Sequence, residues 1–514
     1  MSEQFVKKQT LIVLALMAIH VIIAVPLAYH LNIWVDEAST LYATQSGFWA
    51  AFQTAAAEQK QAPLYFWIVS LLRYLNDSIF FARLLSVICS LAAIWLFSGL
   101  ASRILKPAAA LAMTAFFALH PFLFWASVEI RVYSLVILLT VVLFSAFFAA
   151  FVNDDKTGPD RRRLYPKLWF LAVVIVSLYT NYYLGFVVAG LGFALVVSGR
   201  WRDVGTYSLL MVVAGIAFLP MLVELRAEFI AKTGGFVEPR SLSDGLRAIW
   251  NHVLTFVLPS EIFPGEDQTV FSIIRVWIVR VAFLIIAAMA IIRRKQITQH
   301  TLILGVATAV VCAFLLAAYF LVGHSYIVIR HASILFVPVI LFIASLISDA
   351  FGGMSISRSR SVGLVMGLLI LVSFTYGTYA IYPNLTKRGD WARVGEFIRQ
   401  NESPGQPIVV FLAFEALALR YNYVGVNQIL PDERYFTYGP EAAADSPDSH
   451  RREIEFIISK IPADADRIWL AVSDKCSTTA ACIPLQKYVN ANYTIEIEKD
   501  FYLEKAYLLK RKEK

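Results

Sequence analysis

Two adjacent acidic residues, Asp36 and Glu37, lie in the sequence WVDEASTLY, directly after an apolar stretch long enough to cross a membrane. Negative charge beside a lipid headgroup layer is unfavourable unless a cation, a basic side chain or a reaction compensates for it. A carboxylate is also a suitable general base for taking a proton from a hydroxyl group. Trp34 and Tyr42 flank the pair and are typical of a membrane–water interface. The pair is therefore the first candidate for a catalytic site.

Further polar side chains occur at the ends of apolar segments that the sequence places on the same side of the membrane. They are Lys60, Glu129, Arg131, Asn181, Tyr182, Tyr183, Arg330 and His331. The structural alternative for each is a side chain that only lies in the headgroup layer. One carboxylate base with several cations suits glycosyl transfer from a lipid phosphate. In that reaction the acceptor hydroxyl loses a proton, and the leaving phosphate gains negative charge.

The composition is that of a protein with many membrane spans. The chain has 514 residues, of which 58% are hydrophobic and 16% are charged, and its mean hydropathy is +0.64. These values exclude an ordinary soluble domain. The net charge is +8, but the basic residues fall in short blocks between apolar segments, which is how membrane proteins encode orientation. We therefore expect membrane lipids as partners and no nucleic acid.

About 20 apolar residues are needed for one transmembrane helix, and the sequence predicts about eleven such spans. They are residues 10–30, 79–102, 107–125, 132–151, 168–182, 184–199, 204–223, 271–292, 301–322, 332–348 and 362–382. The basic blocks fall on one side if the N-terminus is cytoplasmic. No small-residue cleavage site follows the first span, which we therefore expect to be retained. We expect a multi-pass protein of the bacterial inner membrane.

Residues 62–75, APLYFWIVSLLRYL, are too short for a span and predict a juxtamembrane helix on the outer interface. The first outer loop, 31–78, then holds two or three such helices. Beyond residue 382 the composition changes, and helical and strand patterns alternate. The sequence thus predicts a transmembrane catalytic domain, 1–382, and a small α/β domain, 383–514, on the periplasmic or extracellular side. Specificity for sugar and acceptor is expected in the loops and in this domain.

Two of the four cysteines lie in the polar segment CSTTAAC of the C-terminal domain. Their spacing suits neither a zinc ribbon nor a redox CxxC motif. A disulfide between Cys476 and Cys482 and two free thiols are both compatible with the sequence. Cys89 and Cys312 lie inside apolar segments and are predicted to be buried thiols.

Four stretches, taken in order, resemble the GT-C membrane glycosyltransferases. They are WVDEASTLY, QAPLYFWIVSLLRYL followed by FFARLLSVICSLAAIWL, HPFLFWASVEIRVYSL, and IRHASILFVPVIL. The resemblance is to glycosyltransferase family 39, specifically to bacterial relatives of the protein O-mannosyltransferases and of the aminoarabinose lipid A transferase, and it covers about residues 10–400. It implies a helical membrane protein with juxtamembrane helices in the first outer loop and a soluble outer domain. It also implies a polyprenyl-phosphate sugar as donor.

At the matching positions of this sequence, the resemblance implies that Asp36 is the catalytic base. It implies that Glu37 assists Asp36 by orientation or metal contact. Glu129 is implied as a second acidic residue, and Arg131 and Tyr133 as residues that fix its turn. Substrate contacts are expected from these three and from Lys60, Tyr182, Arg330 and His331, with Arg330 and Lys60 holding the lipid phosphate.

The sequence departs from the family at two of these positions. His331 stands where the family usually has Tyr, and Lys60-Gln61-Ala62-Pro63 replaces a common HPP. Some relatives use a divalent metal such as Mg or Mn and others do not. This sequence has no clean DxD motif, so a metal held by Asp36 and Glu129 stays open.

The expected function is transfer of a sugar from a polyprenyl-phosphate donor to an extracytoplasmic protein, lipid or polysaccharide. A transporter or flippase of a lipid-linked sugar is the alternative, although the sequence shows no internal repeat of the kind common in transporters. A sensor with an outer ligand-binding domain and a polymerase or ligase of surface polysaccharide are two further alternatives. The sequence identifies neither the sugar nor the acceptor.

Overall fold

The computed structural model describes residues 3–57, 61–152, 160–233, 241–259, 270–321, 328–351, 356–411, 415–432, 447–473 and 482–513. The chain divides into two compact units. The helical unit comprises Met1–Tyr29, Thr44–Phe229 and Val237–Ile381, and the α/β unit comprises His30–Ala43, Ile230–Phe236 and Tyr382–Lys514. The short segment that carries Asp36 and Glu37 thus belongs to the α/β unit, a grouping that the sequence did not indicate.

Helices occupy all eleven apolar segments, as far as these segments are described. In chain order the helices up to Ile381 are α1 Glu3–His30, α2 Val35–Thr44, α3 Phe48–Ala57, α4 Leu64–Arg73, α5 Ile79–Ile104, α6 Pro107–Ala118, α7 Pro121–Ser127, α8 Tyr133–Phe147, α9 Asp160–Thr180, α10 Leu184–Val197, α11 Trp201–Thr233, α12 Leu242–Val257, α13 Val270–Ile292, α14 Gln299–Leu321, α15 Ser333–Phe351 and α16 Ile356–Ile381. A π-helical turn, Phe148–Val152, extends α8.

Within the described residues, seven helices are long and apolar enough to cross a membrane. The pair α6 and α7, bent by 50°, forms an eighth candidate. The apolar parts of α9 and α10, Leu164–Thr180 and Leu184–Val197, are shorter. The expectation of a polytopic helical membrane protein is confirmed, and the number of eleven spans stays a prediction.

Burial separates the inner helices of the helical unit from those at its surface. In the apolar windows, 72% of the residues of α8 are buried, against 6% for α13. Trp277 and Leu284 of α13 are largely exposed although both are strongly apolar. Lipid tails are as apolar as these side chains, so such exposure carries no cost within a membrane. We therefore place α8 inside the bundle and α13 at its lipid-facing surface.

Residues 31–78, the predicted first outer loop, contain the three short helices α2, α3 and α4, in agreement with the expected two or three. In the helical unit, α3 and α4 pack through aromatic rings. The Phe48 and Phe52 rings stack on Trp67 with centroids 5.1 and 5.5 Å away. The helix α4 has only ten residues and begins directly after Pro63, whose ring fixes a backbone angle suited to a helix start.

The C-terminal part of the chain forms a five-stranded sheet with helices, which confirms the α/β expectation. The strands are β1 Ile408–Phe411, β2 Ile429–Leu430, β3 Arg467–Ser473, β4 Tyr493–Phe501 and β5 Glu504–Arg511, and the helices are α17 Trp391–Asn401, α18 Ala416–Asn422, α19 Pro447–Lys460 and α20 Cys482–Asn492. The sheet order is β2-β1-β3-β5-β4. The strand β1 pairs in parallel with β2 and β3, whereas β5 pairs antiparallel with β3 and β4.

The two faces of this sheet are covered by separate apolar clusters. One contains Trp391 of α17, Ile408 of β1 and Trp469 of β3, and Ala38 of α2 is buried among them. The indole N–H of Trp469 donates to Gln406 at 3.1 Å, which satisfies a polar group that burial would otherwise make costly. The helix α2 is therefore a packed part of the α/β core.

Candidate functional site

The acidic pair lies in the first turn of α2. Carboxylates are favourable at this end of a helix because the first backbone N–H groups carry partial positive charge. The two side chains have different environments. Asp36 is partly exposed, whereas Glu37 is completely buried. The structure thus distinguishes two residues that the sequence could not tell apart.

Glu37 forms an ion pair with a basic residue of the same unit. Its Oε1 lies 2.7 Å from Nζ of Lys387, and the side chains are 0% and 2% exposed, respectively. Two charges are removed from water together, and such burial is tolerated only when the partners are close and well placed. The Glu37 carboxylate is therefore held in a buried ion pair with Lys387.

Asn32 fixes the turn that carries Lys387. Its side-chain oxygen accepts hydrogen bonds from the backbone N–H of Lys387 at 2.6 Å and from the Thr386 hydroxyl at 3.0 Å. Its side-chain NH₂ donates to the carbonyl of Gly389 at 2.7 Å. Gly389 has φ +86°, which a glycine adopts without strain. Residues just before α2 and just before α17 are thus joined by buried hydrogen bonds.

The predicted turn lies in the helical unit, with Glu129 and Arg131 between α7 and α8 and Tyr133 as the first residue of α8. All three side chains are buried. The Ser86 hydroxyl of α5 donates to the backbone carbonyl of Glu129, and the Tyr133 ring stacks on Trp125 with centroids 4.8 Å apart. The three residues thus lie in one buried segment, in which α5 holds the backbone of Glu129 and α7 contacts the ring of Tyr133.

The remaining described candidates also lie in the helical unit. Arg330 and His331 form the turn directly before α15, and both are half-buried. The His331 ring stacks on Tyr183 with centroids 5.0 Å apart, so this position keeps an aromatic contact without the tyrosine usual in the family. Tyr182 meets Phe218 edge to face at 6.0 Å. Contacts to a substrate stay predictions for these residues.

Lys60 and Cys476 lie outside the described residues, as does the side chain of Cys482, so neither the phosphate contact nor the disulfide is tested. Cys89 and Cys312 are free thiols, the first buried and the second half-buried. Among the described residues, no group of three or more His, Cys, Asp and Glu side chains is placed to hold a metal ion. Metal binding by Asp36 and Glu129 stays an open prediction.

Sequence reasoning missed Lys387, although a signal was present. Lys387 and Arg388 follow the last predicted span on its outer side, where basic residues are unusual by the positive-inside rule. Arg83 was also missed. It is completely buried in α5 and donates to the carbonyl of Ala28 in the last turn of α1 at 2.9 Å. Each of these two basic residues therefore contacts a residue that lies within the acidic segment or a few positions before it in the sequence.

Comparison with solved structures shows the fold. ArnT from Cupriavidus metallidurans in the apo state aligns with a TM-score of 0.54 and 13% identity, over 96% of this chain and 97% of that one. The same protein bound to undecaprenyl phosphate aligns with a TM-score of 0.52 and 13% identity, over 99% and 98%.

A second relative in structure is the archaeal oligosaccharyltransferase AglB from Archaeoglobus fulgidus, in complex with an inhibitory peptide and a dolichol-phosphate. It aligns with a TM-score of 0.50 and 12% identity, over 96% of this chain and 74% of that one. No family model and no curated protein matches the sequence. The chain has the GT-C fold that its four sequence stretches predicted.

Proposed function

We propose that the protein is a membrane glycosyltransferase that moves a sugar from a polyprenyl-phosphate donor to an extracytoplasmic acceptor. The observation that carries the proposal is the shared fold over nearly the whole chain with an ArnT structure that holds undecaprenyl phosphate. The AglB structure holds a dolichol-phosphate, another phosphorylated lipid. The acidic pair at the start of α2 supplies a general base of the kind that such a transfer needs.

In the proposed reaction Asp36 is the base. The acceptor hydroxyl attacks the anomeric carbon, and its proton passes to the Asp36 carboxylate. The bond between the anomeric carbon and the phosphate oxygen breaks, and polyprenyl phosphate leaves with the electron pair. Support for Asp36 over Glu37 comes from burial, because Glu37 is enclosed and paired with Lys387 whereas Asp36 is partly exposed.

The other candidate residues have proposed roles around this step. We assign Arg330 and Lys60 to the donor phosphate, whose negative charge grows as the bond breaks. Glu129 is a second acidic group, which Arg131 and Tyr133 help to position within its turn. Tyr182 and His331 are assigned to contacts with substrate. If a divalent metal is used, Asp36 and Glu129 are its proposed ligands.

The proposal is tested with Asp36→Asn in purified protein reconstituted into lipid bilayers. Radiolabelled sugars on polyprenyl phosphate are supplied together with host membranes as the acceptor source. We expect transfer to fall at least about 100-fold, because a general base contributes on the order of 10²–10⁴. Asp77→Asn is the matched control. Asp77 lies in the same outer loop and its side chain is 67% exposed, so transfer should stay at the wild-type rate.

Two outcomes would contradict the proposal. Wild-type transfer by Asp36→Asn would remove Asp36 as the base. Movement of the lipid-linked sugar across the bilayer without any transfer, in the wild-type protein, would favour a flippase. Circular dichroism and the thermal unfolding temperature of each variant show whether the fold is retained.

A further inference from the structure

The α/β unit holds the segment that carries the proposed base through several independent contacts. The Asn422 side chain donates to the backbone carbonyl of Ile33 at 2.9 Å and to that of Ala418 at 2.8 Å. Asn32, the residue before Ile33, forms side-chain hydrogen bonds with the turn 386–389. The backbone leading into α2 is therefore fixed at two consecutive residues by side chains and turns of the α/β unit.

The helix itself is fixed by packing and by charge. Ala38 is completely buried in the cluster around Trp391 and Trp469. Glu37, one position earlier, is held by Lys387. Consecutive residues of an α-helix point about 100° apart around its axis. When Glu37 and Ala38 are both immobilised on the α/β unit, the rotation of the helix is set, and so is the direction of the Asp36 side chain.

We infer that Lys387 is a positioning residue for the proposed base and that it acts on Asp36 through the buried Glu37 carboxylate. The α/β unit thereby fixes the orientation of the segment that carries the base. This inference rests on the proposed function for its effect on transfer, but the positioning itself is testable without a substrate. It also assigns Glu37 to orientation of α2, in place of direct proton transfer.

The first experiment measures amide hydrogen exchange of the full-length protein in lipid nanodiscs, with no substrate added. Lys387→Met removes the charge and keeps much of the side-chain volume. We expect faster exchange for amides 36–44 and unchanged exchange in β1 and β3. Arg399→Met is the matched control, because Arg399 pairs with Glu396 on the surface of the same unit at 2.6 Å, and it should leave amides 36–44 unchanged. Lys387→Arg should restore slow exchange.

The second experiment measures sugar transfer by the same variants. We expect Lys387→Met to lower kcat about 10- to 100-fold, since small misplacements of a reacting group have effects of this size, with little change in KM for the donor. In an Asp36→Asn background, Lys387→Met should cause no further loss, because the two residues act as one unit. A merely structural role for Lys387 predicts a loss in both backgrounds.

Each outcome decides the inference. Wild-type exchange of amides 36–44 in Lys387→Met overturns it, whatever the kcat of that variant. If β1 and β3 also exchange faster in that variant, the double variant Glu37→Gln/Lys387→Met, which leaves no unpaired buried charge, is measured instead. We expect it to keep β1 and β3 protected while amides 36–44 exchange faster; full recovery of slow exchange and of kcat overturns the inference. Faster exchange of amides 36–44 in Lys387→Met, together with wild-type transfer by Asp36→Asn, contradicts Asp36 as the base. It still supports the positioning of α2 by Lys387.

Discussion

Asp36 and Glu37 carry the same chemical group at neighbouring positions, yet the fold gives them different environments. A partly exposed carboxylate keeps access to a hydroxyl and to water. A buried carboxylate with an ammonium group at 2.7 Å is stabilised as the anion and is poorly placed to accept a proton. Breaking such a buried pair by removing one partner typically costs about 3–5 kcal/mol. These environments support the proposal that Asp36 takes part in the chemistry and that Glu37 has a structural role.

Arg330 offers a prediction about the donor phosphate. An arginine side chain forms charge-assisted hydrogen bonds with phosphate oxygens, and the loss of one such bond costs about 1.5–3 kcal/mol. We expect Arg330→Gln to raise KM for a polyprenyl-phosphate sugar by about 10- to 100-fold, the change in binding that this free energy corresponds to. Steady-state kinetics over a range of donor concentrations provides the measurement.

The control for Arg330 is its replacement by another cation. Arg330→Lys keeps the charge and loses the planar fork, so we expect an intermediate KM. His331→Phe preserves a flat ring against Tyr183 and tests the neighbouring side chain separately. An Arg330→Gln variant with the KM of the wild type would mean that the phosphate is held elsewhere.

At the scale of elements, close helix packing in the helical unit depends on glycine. A Cβ added at Gly190 of α10 would lie 2.8 Å from the carbonyl oxygen of Ala307 on α14, a backbone atom that cannot move aside alone. Small residues allow helices in membranes to approach this closely. We expect Gly190→Ala to destabilise the protein by about 1–3 kcal/mol, the usual cost of overpacking.

The comparison variant for Gly190 is Gly99→Ala on α5. A Cβ there would meet no atom within 4 Å, so the change should be neutral or slightly stabilising, by up to about 1 kcal/mol from helix propensity. Thermal unfolding of both variants in one detergent gives the difference. Equal unfolding temperatures would show that α10 and α14 can separate without cost.

Most of the long elements were predictable because they have a local pattern. Apolar stretches of about 20 residues predicted the long helices, and the strand patterns beyond residue 382 predicted a sheet that contains β1 and β3. The strand β2 was not predicted because Ile429–Leu430 is too short to show a period. The acidic pair was also found from its position. Its link to Lys387 was not, because a contact between distant parts of the chain leaves no periodic signal in one sequence.

At the scale of the whole molecule, orientation in the membrane follows from the number of crossings. The sequence places the basic residues Arg293–Lys295 on the cytoplasmic side and the α/β domain on the opposite side. Between Lys295 and the α/β domain the chain passes through α14, α15 and α16. Three crossings take a chain from one side of a membrane to the other. Asp36 and the acceptor are then both expected outside the cytoplasm.

This orientation is tested by labelling single cysteines in intact cells. Lys295 and Lys499 are both exposed, so each is replaced by cysteine in a variant that lacks the four native cysteines. A membrane-impermeant maleimide should label Lys499→Cys in spheroplasts, because β4 is expected outside the cytoplasm. It should label Lys295→Cys only after the membrane is permeabilised. Labelling of both sites without permeabilisation would mean an even number of crossings between them, and one of the three helices would then not span the membrane.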